Sequence, residues 1–185
     1  MKKESKGSKG PKKIEIFKIA ALFESLNSRQ DVYSFIYQSN QYLKGKPLIN
    51  ISVFIEQLAP PCISPEFATF FMKDLGYFDG VLIVTTADML QKSEKSYRAQ
   101  KLFYIYDLEY YHIECRNKSL FDWAMKQDVV KFCRSTEHRD RLREMGYQVL
   151  DQIVPYFDIE QIIKIYKENK NVKANERIAQ VQTNA

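Results

Sequence analysis

Asp107, Glu109 and His112 close one segment, Lys101-Leu-Phe-Tyr-Ile-Tyr-Asp-Leu-Glu-Tyr-Tyr-His112. In it, an apolar and aromatic run stops abruptly in carboxylates, tyrosines and an imidazole. A carboxylate flanked by Tyr106 and Tyr110 and partly withdrawn from water would have a raised pKa, suiting it to take a proton from a hydroxyl. A structural reading competes at even weight: Asp107 forms a turn and Glu109 is solvated, as carboxylates at strand ends often are. Arg134-Ser-Thr-Glu137 has a similar double reading. Arg134 and the free N–H groups of a starting helix favour an anion, while capping by Ser135 or Thr136 explains the same residues without a ligand. His138, the other histidine, stands among charged neighbours and reads as a surface residue.

The positions of these groups follow from the elements around them. After residue 13, apolar runs alternate with helical patterns. Strands are expected at 14–22, 49–55, 80–86, 102–107, 129–133 and 149–154. Helices are expected from Ser28 or Asp31 to Leu43, then at 65–75, 87–99, 119–126, 136–145 and 159–169, with Gly76 and Gly146 as stops. The aromatic stripes in 32–42 and 67–71 fall at helical spacing and read as core. Strands separated by helices imply βαβ units. The expected fold is therefore α/β: a single, Rossmann-like, doubly wound and mostly parallel sheet of about six strands with helices on both faces. Ligands of such sheets bind beyond the carboxyl ends of the strands, which is where Asp107, Glu109, His112 and Arg134 fall.

Composition narrows the class. A chain of 185 residues with 12 Tyr and 12 Phe suffices for one well-buried domain. No apolar run approaches the ~20 residues that span a bilayer, and the basic start lacks the apolar core of a secretory signal. A cytoplasmic protein without membrane contact is expected. The net charge of +5 belongs to residues 1–13, where six lysines face only Glu4, so the rest of the chain is neutral. This tail reads as disordered and solubilising, or as a weak contact for nucleic acid. Residues 170–185 read as a second disordered tail, leaving 14–169 as the domain. Cys62, Cys115 and Cys133 form no CxxC pair, which disfavours structural zinc and disulfides. Leu22–Ser28 carries no glycine where a dinucleotide-binding loop would lie, and no P-loop, GxSxG or HExxH motif occurs.

Three segments carry a resemblance. Asp79-Gly-Val-Leu-Ile-Val-Thr-Thr86, Leu102-Phe-Tyr-Ile-Tyr-Asp107 and the strand–Arg/Ser–helix–Gly–Pro unit of 129–157 resemble the N-terminal, acceptor-side half of GT-B glycosyltransferases, phage DNA glucosyltransferases in particular. The likeness spans roughly residues 49–165, although the first strand–helix turn lacks the glycines common in that family. It implies sugar transfer from a nucleotide-sugar to a hydroxyl, with Asp107 as the base. Tyr106, Glu109, His112, Arg134 and Ser135 would line the acceptor side. It implies no resident cofactor, leaves a divalent metal open, and calls for a separately encoded donor-binding domain as partner. Two other readings stand beside it: a non-catalytic Rossmann-like module for protein or nucleic acid, and a small stand-alone enzyme for a phosphorylated or nucleotide ligand.

Overall fold

The computed structural model describes residues 16–27, 29–45, 48–108 and 118–183, the last twelve by backbone alone. Six strands, β1 (Phe17–Phe23), β2 (Ile49–Ile55), β3 (Ala68–Phe71), β4 (Val81–Val84), β5 (Gln100–Ile105) and β6 (Val130–Cys133), form one sheet. Its spatial order is β3-β2-β1-β4-β5-β6, and every neighbouring pair is parallel. The strand sequence runs outward from β1 to β3, then returns to place β4 on the other side of β1. This is the doubly wound order, and its switch point lies between β1 and β4. Among the described residues, the helices are α1 (Gln30–Leu43), α2 (Ala87–Lys92), α3 (Lys118–Lys126), α4 (Thr136–Glu144) and α5 (Ile159–Thr183).

Strand alternation divides the core in two. Ile19, Ala21, Val53, Ile83, Leu102 and Tyr104 face α1 and α5. Ala20, Leu22, Phe54, Leu82, Val84 and Phe103 face α2, α3 and α4. Both sides of the central strands are thus covered, which is why β1, β4 and β5 read as continuous apolar runs. A buried aromatic cluster joins the layers on the α1/α5 side. Phe157 sits edge-on to Tyr104 at 4.6 Å and to Phe35 at 5.5 Å, and stacks on Tyr106 at 5.5 Å. Both Phe157 and the preceding Tyr156 hold a left-handed backbone (φ 60° and 50°).

Several boundaries differ from the sequence reading. The helix expected at 65–75 is β3 followed by a 3₁₀ turn at Met72–Tyr77. Asn40 explains the change. Its side chain donates to the Ser64 carbonyl and accepts from Glu66 N–H, both at 2.9 Å, holding the entry extended. Phe54 then stacks on Phe70 across the β2–β3 pair. The strand expected at 149–154 contributes only a bridge from Ile153 to Cys133. Arg143 binds the Val149 carbonyl and the Asp151 carboxylate there, drawing that segment toward α4. The expected helix 87–99 stops at Lys92, where Ser93 Oγ donates back to the Leu90 carbonyl. α5 runs to Thr183, past Asn169. Among the described residues, no helix is long and apolar enough to cross a membrane. The Lys-rich segment 1–13 lies outside the described residues.

The entry to β4 depends on an absent side chain. A Cβ on Gly80 would lie 2.5 Å from the Lys18 carbonyl oxygen of β1 and 2.6 Å from Phe78 Cζ. Backbone cannot yield as a flexible side chain does. Gly80→Ala is expected to destabilise the protein by about 1–3 kcal/mol, read as a lower melting temperature. An unchanged melting temperature would show that β1 and β4 separate freely there.

Candidate functional site

At the carboxyl ends of β1, β4 and β5 lies a cleft of about 230 Å³, lined by Arg29, Gln30, Asp31, Thr85, Tyr106 and Asp107. It occupies the switch point of the sheet, where adjacent crossovers leave on opposite faces and open a crevice. β1 delivers the first turn of α1, β4 delivers Thr85, and β5 delivers Tyr106 and Asp107.

Asp31 is the best-held group in the cleft. Its carboxylate is buried at 4 % exposure. It accepts from Arg29 Nε at 3.1 Å and Nη2 at 3.0 Å, from Thr85 Oγ1 at 3.0 Å and from Val32 N–H at 3.0 Å. Four donors, two of them from the Arg29 guanidinium, satisfy a charge that would otherwise be costly to bury. The sequence offered Asp31 only as a helix cap. The observed N-cap is Arg29, which makes no side-chain cap. A carboxylate in the first turn after the first strand was the available signal, but its partner Thr85 is 54 positions away.

Tyr106 is buried, and its hydroxyl shares a 2.8 Å hydrogen bond with Ser34 Oγ. Arg134, arriving from the end of β6, lies over the Tyr106 ring at 4.5 Å and donates through Nη1 to Gln30 Oε1 at 3.1 Å. Ser135 caps α4 by accepting from His138 N–H at 3.3 Å, the structural role that its type suggested. β5 ends at Ile105, so Asp107 stands two residues beyond the strand. Asp107 is exposed, and Oδ1 accepts from Leu108 N–H at 2.8 Å. The partial withdrawal from water expected of it is not seen among the described residues, which do not include Tyr110. Glu109, Tyr110 and His112 lie outside the described residues. The structure therefore brings Tyr106, Asp107 and Arg134 to one mouth, with Ser135 at the start of the adjoining helix.

A second depression of about 520 Å³ shares Asp107 and continues along Glu137, His138 and Arg141 of α4. His138 is buried at 9 % exposure, contrary to its expected surface position, and its Nδ1 has no hydrogen-bond partner among the described residues. Charged neighbours in sequence mark the outer face of α4, while His138 and Leu142 turn inward. Burial and the Arg134 charge lower the His138 pKa, partly opposed by Asp107 and Glu137. Cys133, at the end of β6, is fully buried, and burial pushes its thiol up to about 12, which suits packing and not nucleophilic chemistry. Among the described residues, no three His, Cys, Asp or Glu side chains are grouped so as to hold a metal ion.

No protein-family model, curated protein or solved structure matches the chain.

Removing the Asp31 carboxylate leaves Thr85 and Arg29 without their acceptor. Asp31→Ala is expected to cost about 2 kcal/mol or more, discounting the half-exposed Arg29 partner, and chemical denaturation measures it. A loss below about 0.5 kcal/mol would mean that the network carries no net stability. The His138 effect has a defined sign. Its folded pKa lies below the unfolded 6.5, so the unfolded chain binds more protons and stability falls as pH drops below 6.5. His138→Gln is expected to flatten the melting-temperature decline over that window, and an identical decline would assign the acid sensitivity to other groups.

Proposed function

We propose that this chain supplies the acceptor side of a GT-B-type glycosyltransferase, acting in the cytoplasm together with a donor-binding domain. The observation that carries the reading is the exposed Asp107 carboxylate at the switch-point cleft of an all-parallel, doubly wound sheet. Asp107 Oδ2 takes the proton of an acceptor hydroxyl as that oxygen attacks the anomeric carbon. The bond from that carbon to the diphosphate breaks, and the nucleoside diphosphate leaves with its electron pair. Tyr106 and Arg134 border the place where the acceptor would lie. Stabilising the departing diphosphate needs donors from the partner half.

One observation favours a second reading, a non-catalytic binding module. The open setting of Asp107, with Oδ1 engaged by Leu108 N–H, is also that of a turn former. Both are tested by one comparison. With the donor-binding partner supplied, Asp107→Asn is expected to lower sugar transfer from a nucleotide-sugar by about 10²–10⁴-fold, with the melting temperature unchanged. Transfer at wild-type rate, or a complex whose melting temperature no nucleotide-sugar raises, would exclude the transferase reading.

A further inference from the structure

The two arginines beside the switch-point cleft are each held by a different contact, and each keeps donors uncommitted among the described residues. Arg29 places Nε and Nη2 on the buried Asp31 carboxylate, leaving Nη1 and the second N–H of Nη2. Arg134 comes from the opposite side. Its guanidinium lies over the Tyr106 ring at 4.5 Å, and among the described residues only Nη1 is hydrogen-bonded, to Gln30 Oε1. Gln30 directly follows Arg29, so this single hydrogen bond ties the two guanidinium groups to one rim. The Asp31 carboxylate already accepts from Val32 N–H in the first turn of α1, so any anion there is held by the guanidinium groups and not by the helix start.

We propose that this rim is a phosphate-binding site formed by Arg29 and Arg134. Planar guanidinium groups with spare N–H pairs match the several oxygens of a phosphate and are already fixed, so little side-chain freedom is lost on binding. Asp31 is neutralised by Arg29. Asp107 lines the same cleft and opposes an anion, so binding depends on both guanidinium groups. The inference shares its cleft with the transferase reading but none of its chemistry, and it stands or fails without sugar transfer.

The test uses the full chain and direct binding, by calorimetry or fluorescence anisotropy at low salt. The probes are inorganic phosphate, a nucleoside 5′-monophosphate and a short single-stranded oligodeoxynucleotide, with the unphosphorylated nucleoside as control. Arg134→Ala is expected to weaken phosphate-bearing probes about tenfold or more, and Arg29→Ala to do likewise. Arg134→Ala is the decisive variant, because it strands only Gln30 whereas Arg29→Ala strands Asp31. Lys73→Ala removes the same charge far along the chain and is expected to leave binding unchanged. Oligonucleotide binding that depends on the arginines supports the site and identifies a nucleic-acid backbone as the source. Monophosphate binding alone supports it and identifies a free phosphorylated metabolite. No binding of any probe at millimolar concentration overturns the proposal. So does binding that survives Arg134→Ala in a folded protein, or that Lys73→Ala weakens equally.

Discussion

The packing of Phe157 is the constraint on which the rest of the molecule turns. A fully buried phenylalanine with a left-handed backbone pays about 1–3 kcal/mol in local strain. Its ring contacts Phe23 of β1, Phe35 of α1, and Tyr104 and Tyr106 of and just beyond β5. Aromatic pairs of this kind contribute about 0.5–1.5 kcal/mol each beyond burial, enough together to offset the strain. The same turn supplies the Val154 carbonyl that accepts from the buried Tyr104 hydroxyl. Phe157 thereby fixes the start of α5, the inner face of α1 and the exit of β5 at one point.

The candidate site inherits that rigidity. Tyr106 is stacked on Phe157 from within and bonded to Ser34 at its hydroxyl, so the ring on which Arg134 rests is immobilised twice. Arg29 is set in turn by the buried Asp31 carboxylate and, through it, by Thr85 of the next crossover. Three strand ends are coupled in this way without a glycine-rich loop. Side-chain contacts do here what close backbone approach does in dinucleotide-binding folds.

The fold was legible where pattern and environment agree. Ile49–Ile55 is a run of apolar residues interrupted by Asn50 and Ser52, and it forms β2 over those same residues. Doubly covered strands have no polar face to hide, so β4 and β5 also announced themselves. Phe67–Phe71 misled because four aromatic or β-branched residues fit either a helical stripe or a short strand, and the deciding contact, Asn40 to Ser64 and Glu66, is non-local. His138 misled because one inward position in a charged helix resembles its neighbours. For the site, the strand-end location of Asp107 was readable, but its exposure was not. The Asp31–Arg29–Thr85 network was invisible because it exists only once β1 and β4 lie side by side.

The strand order also bears on how the molecule comes into being. Among the described residues no two strands are joined by a hairpin, and β1 gains its second neighbour only when β4 emerges some sixty residues later. Until then β1 presents an open edge beside β2, and the first half of the chain cannot close its sheet. Such separated pairings fold slowly and leave hydrophobic edges exposed in the interval. During synthesis, the vulnerable species is therefore a β1–β2–β3 fragment whose unfinished edge is the very place where the cleft will later open.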